Sequence, residues 1–306
     1  MRTRLFYILL FYVLSASAQE FGTHWIAYPA VDSTSQVWFR QTYISNKRPV
    51  FAKITIATTG YCDLYVNEFN VNRDFLAPYR ESKNDQPVSI TYDVTRFLRT
   101  DSNTIAVWYS PSYPHINERQ ISVCYYGKDW KGKNFAHFSD EDWLCHLADR
   151  SISADGTESQ KGCSYPFYWK GNSFDPACWQ SVVNASDNDS PHFVDYSTSY
   201  PAEKVNKIMV PKYFDVDGDS VYYEFGRGFY GTLRVTLRDC KIGEKIMIDG
   251  SEYTCNGKID EQFYQKISTY HGNRIRIYGD EKFRRAQIQK IEAIQTIPDY
   301  HTDFLR

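Results

Sequence analysis

Residues 226–231 read GRGFYG, which spells G-x-G-x-x-G, the glycine pattern that cradles a dinucleotide pyrophosphate. That chemistry needs a strand before the glycines and a helix after them, because the anion sits on the free N–H groups of the helix's first turn. Here the glycines are followed by TLRVTLRD, in which Leu233, Val235 and Leu237 alternate with Thr232, Arg234, Thr236 and Arg238. A period of two is a strand. The preceding residues alternate as well, with Val221, Tyr223 and Phe225 against Tyr222 and Glu224. The motif therefore reads as two strands joined by a glycine turn, with positive φ or close strand approach at Gly226, Gly228 and Gly231. No nucleotide or other cofactor is expected.

Glycoside hydrolysis needs two carboxyl groups flanking one glycosidic bond. The candidates are Asp140-Glu141-Asp142, the acids of 187–189 and of 215–219, and Glu281. All fall in loop-like or turn-like sequence where solvated acids are common, and no local pattern brings two of them into one cleft. The run DVDGD at 215–219 evokes a calcium loop, but its glycine comes fourth and Glu224 falls in a strand, so an Asp-Gly hairpin turn fits better. There is no G-x-S-x-G elbow, and the seven histidines are scattered without an H-E-x-x-H pair. The sequence assigns no catalytic residue and no metal ligand.

Binding is easier to build. Sugar rings present apolar C–H faces that stack on exposed aromatic rings, while a few polar groups fix orientation. The segment SYPFYWKGNSF at 164–174 offers Tyr165, Phe167, Tyr168 and Trp169 beside Lys170 and Asn172, and Lys128-Asp129-Trp130 offers a second tryptophan. Trp169 and Trp130 are the first candidates for carbohydrate contact, with Tyr165 beside them and Asn172 as a polar partner. For any single ring, capping the core is the alternative use.

The elements that must position these residues are strands. Aromatic residues make up 17% of the chain, including 25 tyrosines, and long helical stripes are almost absent, which suits pleated faces. In VFAKITIAT from Val50, Ala52, Ile54 and Ile56 point one way and Lys53 and Thr55 the other. VWFRQTYI from Val37 and GYCDLYVNEFNVN from Gly60 alternate likewise, the latter turning at Asn67-Glu68 into a short return strand. Asp93 is placed to cap one helical turn through Leu98, strands follow at 104–109 and 120–125, and residues 126–180 read as loops with short strands. A loop at 185–190 suggests a domain boundary before Pro201. Beyond it, strands are expected near 206–214, 220–226, 231–238, 245–249, 273–278 and 284–295.

The N-terminus sets the compartment. Arg2 and Arg4, the apolar run Leu5 to Leu14 and Ala16-Ser17-Ala18 read as a signal peptide, the apolar run being about half a bilayer-spanning helix. Cleavage after Ala18 predicts an exported protein, periplasmic or extracellular, with no membrane insertion. It removes two arginines and moves the formal charge from -2 to -4. A mildly acidic chain without clustered Lys and Arg argues against nucleic acid as partner. Seven cysteines could form disulfides after export, but the count is odd and no C-x-x-C occurs. Cys62 lies in phase with Leu64 and Val66 and reads as a buried thiol, and Cys145 with Cys163 or Cys178 is the preferred bridge. No metal-ligand spacing appears among them.

An ordered series of motifs is similar to one family. W-I-A (25–27), V-W-F-R-Q-T-Y (37–43), G-Y-C-D-L-Y-V-N (60–67), Y-D-V-T-R-F-L (92–98) and N-T-I-A-V (103–107) resemble the N-terminal β-sandwich of bacterial α-L-rhamnosidases. D-E-D-W (140–143) through W-K-G-N-S-F-D-P-A-C-W (169–179) resembles the segment that ends that sandwich, and Glu224-Phe225-Gly226 with Gly231 resembles the Asp-Phe-Gly and downstream glycine of a second one. Ser110-Pro111-Ser112-Tyr113 departs from the Gly-Trp-Tyr type loop usual there, which puts a family ligand site at that place in doubt. The resemblance implies an all-β protein of two antiparallel, jelly-roll-like β-sandwich domains, 19–200 and 201–306. It also implies that the chain stops near 301–304, where the family's catalytic (α/α)-barrel would begin. The expected function is a non-catalytic, glycan-utilisation protein that binds carbohydrate, a rhamnose-containing glycan included. The alternatives are a truncated or split α-L-rhamnosidase with its catalytic domain on a partner chain, and a structural or assembly module.

Overall fold

The computed structural model describes residues 24–299 apart from 31–32, 73, 79–86, 113–118, 163–165, 167, 186–193 and 196–201. The signal-like segment 1–18 and most of the expected boundary region lie outside the described residues. Among those described there are strands and short 3-10 turns and no α-helix, so the all-β expectation holds. The architecture is two antiparallel-rich β-sandwich units.

A seven-stranded sheet places Gln120–Lys128 between Trp25–Ala27 and Phe51–Thr58, with Val88–Asp93 beyond. Facing it, Leu144–Ile152, Ser35–Ile44, Ser102–Ser110 and Tyr61–Val66 lie side by side in a larger sheet. Alternation puts Ile54 and Ile56 from one sheet against Phe39, Leu64 and Val107 from the other, all fully buried. Each contributes roughly 1.5–3 kcal/mol by leaving water. The larger sheet continues through Glu158–Lys161 into Ser251–Thr254 by a parallel pair, Gln160 opposite Tyr253. Beyond that join a second core gathers Leu233, Val235, Ile246, Phe263, Ile275 and Ile277.

Local sequence chemistry explains several turns. Asn67 and Glu68 both take positive φ (52° and 76°) between the paired Val66 and Phe69, as a two-residue hairpin demands. The Asn67 amide steadies that turn by donating to the Phe97 carbonyl and accepting the Thr104 N–H. Asp93 accepts the Thr95 N–H at 2.9 Å and opens the turn Thr95–Phe97. In DVDGD, Asp217 pairs with Ser220, so Gly218 and Asp219 form a hairpin turn as expected.

Three expectations need correction. GRGFYG is no turn: Ser220–Arg238 is one nineteen-residue strand that runs through it, with a register shift between Glu224 and Phe229. Gly226 takes φ 78° at this bulge, and a Cβ on Gly231 would lie 2.0 Å from the Ile294 carbonyl oxygen. The glycines thus serve a bulge and a close strand crossing. Residues 126–180 are more regular than their sequence suggests, with Leu144–Ile152 a nine-residue strand. A bulge between Leu147 and Ser151 breaks its period, and it buries the charged pair Asp149 and Arg150 where alternation would place apolar residues. Cys145 and Cys178 are free thiols, because Cys145 points into the first core while Cys178 is exposed. Cys163 lies outside the described residues. Cys62 is a buried thiol as expected.

Candidate functional site

One end of the first sandwich carries a groove of about 240 Å³ built from Tyr43, Lys47, Tyr125, Trp130, Phe135 and His137. Its outer wall is the hairpin between Gln120–Lys128 and Asn134–Phe138. The Asp129 carboxylate accepts the N–H groups of Lys131 and Lys133 at 2.8 and 2.9 Å, which folds the loop tightly and turns Trp130 outward. Trp130 is 42% exposed, and the ammonium groups of Lys47 and Lys131 stand 4.4 and 4.8 Å from its ring centroid. Exposed cation–π contacts of this kind are worth about 0.5–1 kcal/mol, so a ligand ring can displace a lysine from the ring face at small cost.

The floor is aromatic and uncharged. Tyr43 lies 4.8 Å from His137 and 5.4 Å from Tyr125, ring to ring. Burial pushes both phenols far up, and the Tyr43 hydroxyl accepts the Trp143 indole N–H at 3.3 Å. Burial holds the His137 imidazole down against the opposing pull of Asp140, so it is neutral near pH 7. Neutral phenols and a neutral imidazole suit hydrogen bonds to hydroxyl groups. Asn103 also lines this groove, but its amide is committed to Asn67 and Arg99.

The structure separates the four expected binding residues. Trp130 stands exposed at the groove. Tyr165 lies outside the described residues. Trp169 is fully buried, 5.2 Å from Trp38 and 5.8 Å from Trp179, in a satellite cluster with Trp108 and Tyr65, so it is corrected from ligand contact to packing. The turn Tyr168 to Gly171 decides this: Tyr168 takes φ 62° and is 71% exposed, while its neighbour points inward. Asn172 is likewise structural. Its amide donates to the Ser102 carbonyl at 3.1 Å and accepts the Thr104 hydroxyl, pinning the loop to the strand Ser102–Ser110. Tyr43, Tyr125 and His137 were not singled out as binding residues by the sequence. Nothing local marks which end of a strand meets which loop.

The acidic candidates also spread. Asp140, Glu141 and Asp142 are exposed, and Asp140 caps its own turn through the Asp142 N–H. The acids of 187–189 lie outside the described residues. Asp219 and Glu281, which no local pattern joined, do line one cleft of about 350 Å³ with Asp280, Arg284 and Arg285. Desolvation works to raise the Asp280 carboxyl, but the N–H groups of Lys245 and Lys282 hold it below the usual range. Asp219 and Glu281 are exposed, whereas a glycosidic acid catalyst needs a raised, dehydrated carboxyl.

No protein-family profile matches the chain. An α-L-rhamnosidase of Streptomyces avermitilis is 23% identical over 267 residues, which is 76% of this chain and 25% of that protein. The structure of an α-L-rhamnosidase from Dictyoglumus thermophilum superposes with a TM-score of 0.78 at 17% identity, covering 92% of this chain and 36% of that one. The Streptomyces avermitilis α-L-rhamnosidase complexed with L-rhamnose gives 0.75 at 16% identity, covering 87% and 29%. The chain thus spans about a quarter to a third of the length of these proteins. In sequence and in fold it resembles the β-sandwich part of α-L-rhamnosidases.

Proposed function

We propose that this chain is an exported, non-catalytic carbohydrate-binding protein, periplasmic or extracellular, built like the ancillary sandwiches of α-L-rhamnosidases. The observation that carries the reading is Trp130, a half-exposed indole at the mouth of a groove floored by neutral Tyr43, Tyr125 and His137. An apolar sugar face stacks on the indole while hydroxyl groups meet the phenols and imidazole. Rhamnose carries a methyl group that adds apolar surface to such a contact, so rhamnose-containing glycans are the first ligands to test. Calorimetric titration of the mature protein with rhamnose-containing and rhamnose-free polysaccharides tests the reading. Saturable heat that Trp130→Ala removes is expected, and no heat at millimolar ligand overturns it.

A second reading rests on a different surface. The strand Tyr213–Asp217 pairs with Ser220–Arg238, and Ala202–Met209 pairs with Ile288–Asp299 and otherwise only bridges Phe75 through Glu203 among the described residues; together they expose Val205, Ile208, Tyr213, Phe214 and Val216 at 46–60%. Apolar edge strands of this kind are covered in stable proteins. Docking of a catalytic domain there would make the chain one part of a split α-L-rhamnosidase. Hydrolysis of an aryl α-L-rhamnoside by the purified protein, lost on substitution of Asp219 or Glu281, would instead place catalysis in this chain.

A further inference from the structure

In the second sandwich Cys240, Cys255 and Glu261 are 4%, 0% and 3% exposed, and two thiol sulfurs and one carboxylate oxygen lie within 4.8 Å of one another. The three residues come from separate places: the end of the strand Ser220–Arg238, the end of Ser251–Thr254, and the strand Asp260–Tyr264. Glu261 is held from behind, since its Oε2 accepts the Tyr253 hydroxyl at 2.8 Å and the Asn256 N–H at 2.7 Å. Its Oε1 is buried and accepts no hydrogen bond from any described residue. Leaving such an oxygen unmet carries the full desolvation penalty of the group.

We propose that Cys240 Sγ, Cys255 Sγ and Glu261 Oε1 form a structural site for a thiophilic divalent cation of the Zn²⁺ class. Two sulfurs and one oxygen match the donors zinc prefers, and the cation supplies the positive charge that Oε1 lacks. Tetrahedral bonds of about 2.3 Å to sulfur and 2.0–2.2 Å to oxygen set ligand atoms roughly 3.5–3.8 Å apart, so no more than about 1.3 Å of closure is needed. Binding releases both thiol protons to solvent. A Cys240–Cys255 disulfide is the competing state. It brings neither positive charge nor a hydrogen-bond donor to the Glu261 carboxylate, so it does not answer the unmet oxygen. Tyr253 is a positioning residue that orients the carboxylate.

Titrating the reduced full-length protein with Co²⁺ tests the site. The expected result is a one-to-one rise of thiolate-to-cobalt charge-transfer absorption that Cys240→Ser abolishes and Tyr253→Phe weakens by ~10-fold or more. In the unaltered protein, Zn²⁺ should shield Cys240 and Cys255 from alkylation, as mapped by peptide mass spectrometry, which needs no variant to fold. Absence of the band, a band that persists in a folded Cys240→Ser variant, alkylation unaffected by Zn²⁺, or a Cys240–Cys255 disulfide peptide in the protein as isolated would each overturn the proposal.

Discussion

Glu158 Oε2 accepts the backbone N–H of Lys266 at 2.7 Å, 108 positions further along the chain. The same oxygen takes the N–H groups of Ile267 and Ser268 at 3.0 and 3.3 Å, while Oε1 accepts the Gln36 amide and faces the buried Arg150 guanidinium at 3.5 Å. One carboxylate from the first unit is thus wrapped by a backbone segment of the second. Arg150 adds a hydrogen bond to the Tyr264 carbonyl. The join is polar and buried.

Removing that carboxylate leaves Arg150 and three N–H groups buried without it. Glu158→Ala is therefore expected to destabilise the protein by roughly 3–5 kcal/mol and to split one unfolding transition into two. Urea denaturation followed by tryptophan fluorescence, which reports the first unit because all seven tryptophans lie in the first 179 residues, and by far-UV circular dichroism, which reports both, checks this. A single transition within 1 kcal/mol of the original would show the join to be unimportant.

The glycines of GRGFYG should rank by geometry. Gly231→Ala meets a backbone oxygen at 2.0 Å and is expected to cost roughly 3–5 kcal/mol. Gly226→Ala is strained by its φ of 78° and meets the movable Lys212 side chain, costing about 1–2 kcal/mol. Gly228 has only the Gly272 oxygen nearby at 3.8 Å, so Gly228→Ala should stay within ~0.5 kcal/mol. Thermal unfolding of the three variants gives the order, and equal losses would contradict the bulge account.

Burial, and then the charge of Lys266, push the Lys170 ammonium down to about 8, against the opposite pull of Asp63 and Asp149. Its unfolded value is about 10.4, so between the two the unfolded chain holds more protons and stability rises with pH. Below pH 8 the penalty is full, at roughly 3 kcal/mol or less. Lys170→Met keeps the stem against the Tyr65 ring, where the ammonium lies 3.9 Å from the centroid. The variant should be more stable at pH 7 and show a flatter profile from pH 8 to 10. Parallel profiles for the two proteins would refute a depressed Lys170.

Two tryptophans should behave oppositely. Trp169→Ala removes a ring with no exposed surface and is expected to cost about 3–5 kcal/mol of stability. Trp130→Ala should cost under ~0.5 kcal/mol but weaken glycan binding about tenfold or more. Denaturation and titration calorimetry on the same samples separate the effects. Loss of stability without loss of affinity at Trp130 would assign it to packing.

Much of the fold was written locally. Ile54 and Ile56 face inward because alternation with Lys53 and Thr55 leaves a pleated strand no other way to hide them, and Asn67-Glu68 turns because a two-residue hairpin suits those residues. The strand Ser220–Arg238 shows where local reading stops. Its two halves were legible, but their continuity through GRGFYG was fixed by the bulge that pairs Glu224 with Arg274 and Phe229 with Gly272. Leu144–Ile152 was hidden for a related reason, since Asp149 and Arg150 are buried there only because Glu158 and Tyr264 arrive from elsewhere.

The candidate sites followed the same division. The residue types alone determined that aromatic rings rather than catalytic carboxylates carry the case for function, and the motif order pointed to rhamnosidase-like sandwiches. Which ring meets solvent was decided by one positive φ at Tyr168 that turns Trp169 inward, and by an Asp129 turn that turns Trp130 out. The grouping of Cys240, Cys255 and Glu261 had no signature in spacing. Strand pairing across the second sandwich brings them together, and pairing between distant segments depends on burial and register that no short window of sequence contains.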